Sequence, residues 1–196
     1  MTSLFKTVAP SLPLIPWVSC QTAATSPSDS KVVAAPDLGF RYTPPPGMPG
    51  MKDKTSPSSP EARSHAASHT GQRFGLLLDL SSDEDDASAA WRQVWILNLP
   101  RATWPALSDA AATEKMNSLA AGRKAAAIGQ PQSTVISGRS FVASEFELKE
   151  PPLVKQAKIL TTNCKGQLVA FILVPNSAAN LSALEESLKT LDFSQH

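Results

Sequence analysis

The chain has 196 residues, 42% of them hydrophobic and 18% charged, with a formal net charge of +1. Its length suits one domain of about 100–200 residues, and the apolar fraction excludes wholesale disorder. A nucleic-acid binder carries a strongly basic face and a membrane-surface binder clusters its Lys and Arg, so the near-neutral balance argues against both. Residues 1–20 hold one basic side chain, Lys6, and then a modestly apolar run from Val8 to Val18 that Pro10, Pro13 and Pro16 interrupt. That is the outline of a signal peptide. Val18-Ser19-Cys20 resembles the end of a bacterial lipobox, with Trp17 where a Leu is usual, which makes Cys20 a candidate lipidation site. The expected location is therefore outside the cytoplasm: periplasmic, secreted or membrane-anchored by lipid. A cytoplasmic protein with an irregular start is the alternative.

Eleven of the 17 prolines lie within residues 1–60. Residues 21–36 are rich in Ser, Thr, Ala and Pro and lack a periodic apolar pattern. Such a stretch buries too little surface to offset its ordering entropy and is expected as a flexible linker. A single α+β domain is expected over residues 37–193. Residues 38–43 alternate apolar and polar as a half-buried strand does, and Pro44-Pro45-Pro46 stop it. Residues 48–72 form a long connection, with a short helix expected over 59–69. Two further strands follow, at 74–80 with Phe74, Leu76, Leu78 and Leu80 on one face, and at 91–99. In the latter, Trp91, Trp95, Leu97 and Leu99 share a face on which Gln93 is the polar exception.

A helix is expected over residues 108–127, with Ser108 as N-cap, Ala112, Met116, Leu119 and Ala120 inward, and Gly129 beyond its end. Strands are expected at 133–136 and 141–148, joined by Ser137-Gly138-Arg139. Two more, at 154–162 and 167–174, flank Asn163-Cys164-Lys165-Gly166, a four-residue hairpin turn in which Cys164 is a free thiol. Residues 168–174 are apolar at every position, which predicts a central strand covered on both faces. They are also the longest apolar run, far short of the roughly 18 residues of a membrane-spanning helix. The last helix is expected over 178–191, with Leu181, Leu184, Leu188 and Leu191 along one stripe. The fold class is thus α+β, an antiparallel sheet of about six strands with two main helices packed on it.

The opening Leu38-Gly39-Phe40-Arg41-Tyr42-Thr43-Pro44-Pro45 and the closing Leu188-Lys189-Thr190-Leu191-Asp192-Phe193 resemble the Mog1/PsbP-like fold. Small exported bacterial proteins and lipoproteins often have this look. The resemblance covers residues 38–193 and rests on packing positions. Photosystem accessory subunits, a GTPase-binding nuclear factor and secretion chaperones share the fold, so the resemblance implies an architecture and leaves the function open.

Chemistry-bearing clusters are few. His65 and His69 have the i, i+4 spacing of zinc ligands on a helix, but His196 is the only further histidine and the Glu of a His-Glu-x-x-His motif is missing. The chain has no Gly-x-Ser-x-Gly elbow, no phosphate-binding Gly loop and no Cys-x-x-Cys pair. Neither a catalytic residue, a resident metal nor a cofactor is expected. The sharpest surface feature is Asp83-Glu84-Asp85-Asp86, which lacks the alternating ligands of a calcium loop and suits a basic protein surface. Trp91 and Trp95 are expected in the core, while Trp104, in a loop after Pro100, is expected to be partly exposed. Asp83, Glu84, Asp85, Asp86 and Trp104 are therefore the candidate partner-binding residues. These features point to a non-enzymatic exported domain that binds a protein partner. The alternatives are a metal-dependent hydrolase using His65, His69 and the acidic run, and a purely structural envelope protein.

Overall fold

Two tight hairpins organise the C-terminal half. Ser137 and Gly138 have φ of 49° and 76°, and Lys165 and Gly166 have φ of 48° and 76°. Two consecutive residues at positive φ are what a two-residue hairpin turn needs to match the twist of its strands. In the computed structural model, residues 32–48, 75–82, 88, 91–122, 125–150 and 153–194 are described. These turns join β5 (Ala125–Ile136) to β6 (Arg139–Glu150) and β7 (Leu153–Cys164) to β8 (Gln167–Pro175). β6 and β7 pair from Val142↔Thr161 to Glu150↔Leu153. β3 (Gly75–Ser81) and β4 (Arg92–Pro100) complete a six-stranded antiparallel sheet in the order β3-β4-β8-β7-β6-β5.

Because β4 lies beside β8 while β5 is at the far edge, the chain must cross the sheet between them. Helix α1 (Asp109–Ala121) makes that crossing over β8, β7 and β6. Helix α2 (Ala178–Leu188) packs on the opposite face, over β8 and β4. Both helices start as expected: the hydroxyls of Ser108 and Ser177 accept from the amides of Ala111 and Asn180. β8 is buried on both faces. Leu168, Ala170, Ile172 and Val174 meet Ala112 and Met116 of α1, while Val169, Phe171 and Leu173 meet Leu184 and Leu188 of α2. Phe171 is the hub of the α2-side core, with the rings of Phe40, Tyr42 and Phe141 at 5.7, 6.1 and 6.0 Å.

The structure departs from the sequence expectations in five places. The strand expected at 38–43 is β2 (Phe40–Tyr42), and it lies outside the main sheet. It pairs with β1 (Val33–Ala35) in a two-stranded sheet and is bridged from Arg41 to Asp192. Among the described residues, paired structure begins at Val33, inside the span 21–36 expected as linker. The helix expected to reach residue 127 ends at Gly122, whose φ of 87° breaks the helical course; Ala125 to Ile128 then pair with Leu148 to Glu145. Strand pairing there overrides the helix propensity of three alanines. The Asn163–Gly166 turn shortens to Lys165-Gly166, so Cys164 belongs to β7 and is fully buried. In β3, a bulge between Leu76 and Leu78 turns the strand over. Leu76 then faces the α1 side while Leu77, Leu78 and Leu80 face the other, not the single face expected. Finally, α2 stops at Leu188, three residues early, and Leu191 reaches the core from the turn beyond it.

Candidate functional site

The loop that carries Trp104 follows β4 directly. Pro100 ends the strand, a single 3-10 turn runs Arg101–Thr103, and Trp104 then lies half-buried against the α1-side core. Arg101 holds this loop in shape. Its guanidinium donates to the carbonyl oxygens of Trp104, at 2.6 Å, and Leu107, and to the Asp109 carboxylate at 2.7 Å. Its backbone amide donates to the Gly166 carbonyl at 2.9 Å, tying the loop to the β7–β8 turn. Asp109 opens α1, where a carboxylate also favours the positive end of the helix dipole. Leu107, at 37% exposure, stands beside Trp104 on the same loop. The Arg101 clamp has no signature in the sequence, since a single Arg before an irregular loop has no periodicity to betray it.

Trp104 and the described ends of the acidic connection lie at opposite ends of β4. Asp83, Glu84, Asp85 and Asp86 fall outside the described residues, but the ends of their connection are fixed. Ser82 and Arg92 exchange backbone and hydroxyl hydrogen bonds, and the Ser88 carbonyl accepts from the Trp91 amide and the Asn176 side chain. This is the start of β4, whereas Trp104 follows its end. A strand of nine residues spans about 27 Å. Cys20, His65, His69, His196 and the helix expected over 59–69 also lie outside the described residues. Among the described residues, no three His, Cys, Asp or Glu side chains gather as a metal site would require.

Trp91 is buried in the α1-side core, and Trp95 is half-buried at its margin. The Trp95 indole and the Gln93 amide both donate to Oδ1 of Asp79, at 2.7 and 3.0 Å. The polar Gln93 is thereby accounted for, its partner being supplied by the neighbouring strand. α1 packs mainly over β6, β7 and β8, and the Trp95–Asp79 patch lies on the same face of the sheet, with Leu76 also half-buried there.

Elsewhere, buried polar groups are spent on holding the fold. Asn117 of α1 joins Val142, Ser144 and Thr161. The Tyr42 hydroxyl meets Ser187 Oγ at 2.8 Å, and burial pushes its pKa up to about 12 despite that hydrogen bond. Burial likewise raises the Cys164 thiol, against the opposing pull of the Arg139 guanidinium. A thiol so held is a poor nucleophile.

The layered order of this sheet, with a helix on each face, has a counterpart among solved structures. The solution structure of cyanobacterial PsbP (CyanoP) from Synechocystis sp. PCC 6803 superposes with a TM-score of 0.52 at 12% identity, covering 83% of this chain and 91% of that one. The fold is PsbP-like. At that identity the likeness concerns the architecture alone. No family profile matches the chain, and no curated protein matches it in sequence. Among the described residues, no helix is long and apolar enough to cross a membrane.

Proposed function

We propose that the chain is a non-enzymatic accessory domain that is exported and works by binding a protein partner through the Trp104 loop. The observation that carries this is the Arg101 clamp. One guanidinium, joined to two carbonyls and a carboxylate, fixes an otherwise irregular loop that presents a half-buried Trp and an exposed Leu. An aromatic anchor that is already ordered loses little entropy on docking, and such residues dominate interface energetics. The PsbP-like fold is in keeping with an accessory role. The acidic run Asp83, Glu84, Asp85 and Asp86 then serves as a second, electrostatic contact that steers a basic partner. Export rests on the leader, with Cys20 as its lipid attachment point.

Affinity capture from the native cells tests the binding role. The intact chain should recover one partner, Trp104→Ala should lose it, and neutralising the four acidic residues should weaken capture mainly at low salt. Recovery of no partner would favour a purely structural envelope role. Stoichiometric zinc in the purified protein would favour the hydrolytic alternative at His65 and His69. Fractionation with mass spectrometry of the mature N-terminus decides export and lipidation together.

A further inference from the structure

Among the described residues β5 is an outer strand of the six-stranded sheet, exposed along nearly its whole length. Edge strands are normally guarded by charged side chains, proline or bulges, because their free backbone groups template further pairing. From Ala125 to Ile136 this strand has no Asp, Glu, Lys or Arg. Its irregularity lies between Ile128 and Gln132, around Gly129 and Pro131. The outer part is unguarded: residues 132–136 pair in unbroken register with β6, from Gln132↔Ala143 to Ile136↔Arg139. Val135, at 68% exposure, is the most exposed large apolar residue among those described.

We propose that residues 132–136 form a contact between two copies of this chain, β5 lying antiparallel to its equivalent across a twofold axis and joining the two sheets into one. The self-pairing geometry argues for a second copy over an unrelated peptide. A twofold centred on Thr134 sets that residue against its own equivalent, Ser133 against the second copy's Val135, and Gln132 against the second copy's Ile136. A charge at the centre of such a strand would face itself, and none is present. Ser133 and Val135 share one face of the sheet, so each exposed valine would be covered by the opposite strand. Pairing of five residues buries less than the roughly 1,200 Å² of a standard interface, which makes this a reversible dimer. The contact uses no residue of the Trp104 loop, which follows β4.

Sedimentation of the full chain over a wide concentration range tests the inference. The intact protein should show a monomer–dimer equilibrium. Ser133→Lys together with Val135→Lys sets like charges opposite each other twice and should weaken the dimer by about tenfold or more. Ser133→Lys together with Val135→Glu sets opposite charges there and should restore it. Both positions are exposed, so circular dichroism and thermal midpoint should report an intact fold in each variant. An intact protein that stays monomeric throughout, a double-lysine variant that dimerises equally well, or a Lys/Glu variant that fails to recover would each overturn the proposal.

Discussion

Asn117 of α1 accepts a hydrogen bond from Thr161 of β7 at 2.5 Å, and both residues are fully buried. The Asn117 amide nitrogen donates in turn to the Val142 carbonyl and the Ser144 hydroxyl, each at 2.9 Å. One side chain therefore stitches the crossing helix to β6 and β7, at a point where an apolar residue would remove a hydrogen-bond partner from each of three polar groups. Asn117→Ala should lower unfolding free energy by about 2–4 kcal/mol, since unsatisfied buried groups cost about 1–3 kcal/mol each and some will relax toward water. Thr161→Val should cost about 1–3 kcal/mol by leaving the Asn117 oxygen unpaired. Denaturant unfolding of the two single variants and the double variant would measure the coupling. Additive costs would mean that the contact carries no energy of its own.

What the sequence made legible, and what it hid, divides along physical lines. Continuous apolarity over Leu168–Val174 correctly marked the doubly covered central strand, and Ser108 correctly marked a helix start. Both are local signals in which pattern and tertiary role agree. Ala125 to Ala127 were lost to the helix because alanine carries no strand signal, and only the pairing with β6 decides the matter. β1 was hidden for a similar reason: three small residues in a Pro/Ser/Thr context become a strand through β2, which is itself anchored by Asp192 at the other end of the chain. At the candidate site, Trp104 was legible as a large aromatic after a strand-ending proline. Arg101 and Asp79 were not, because each acts by meeting groups that only the fold brings near.

The α2 stripe gives a direct core test. Leu184 and Leu188 are both buried in the cluster that surrounds Phe171. Leu184→Ala or Leu188→Ala should each cost about 2–5 kcal/mol through the cavity left behind. A loss below about 0.5 kcal/mol, the scale of surface substitutions, would place these residues outside the core.

Tyr42 makes stability sensitive to alkali. Its pKa rises from 10.0 unfolded to about 12 folded, burial being the larger cause. The folded state therefore keeps its proton where the unfolded state loses it. The contribution to stability is fully present below pH 10.0 and is lost as pH rises toward about 12. Tyr42 is the chain's single tyrosine, so absorbance titration of phenolate reads this group alone and should show a high, cooperative transition. Tyr42→Phe should flatten that part of the stability profile. It should cost about 1 kcal/mol at neutral pH, because Ser187 still donates to the Leu184 carbonyl.

The Arg101 clamp predicts a local change in dynamics. The Leu107 amide donates to the Trp104 carbonyl at 3.2 Å within the loop that Arg101 fixes. In Arg101→Ala, hydrogen exchange at Leu107 should speed markedly while amides in β8 keep their protection. Unchanged exchange at Leu107 would mean that the loop is held by Trp104 packing alone.

The N-terminal boundary can be measured by comparing two shortened chains, one starting at Val32 and one at Pro36. β1 contributes three paired residues, Val33↔Tyr42, Ala34↔Arg41 and Ala35↔Phe40, and Ala35 packs against the α2-side core. Its partner β2 carries Phe40 and Tyr42 into the aromatic cluster around Phe171, and Arg41 exchanges two backbone hydrogen bonds with Asp192, at 2.8 and 3.0 Å. Removing β1 leaves that anchoring in place but strips one strand of the small sheet and uncovers the core surface that Ala35 covers. The chain starting at Pro36 should therefore fold, yet be less stable than the chain starting at Val32 by about 1–2 kcal/mol, the worth of one or two net hydrogen bonds with modest apolar burial. Equal midpoints would mean that β1 adds nothing and that the domain begins at Asp37. A loss of folding altogether would mean that β2 depends on β1 for its place, and that Asp192 is too weak an anchor to hold it.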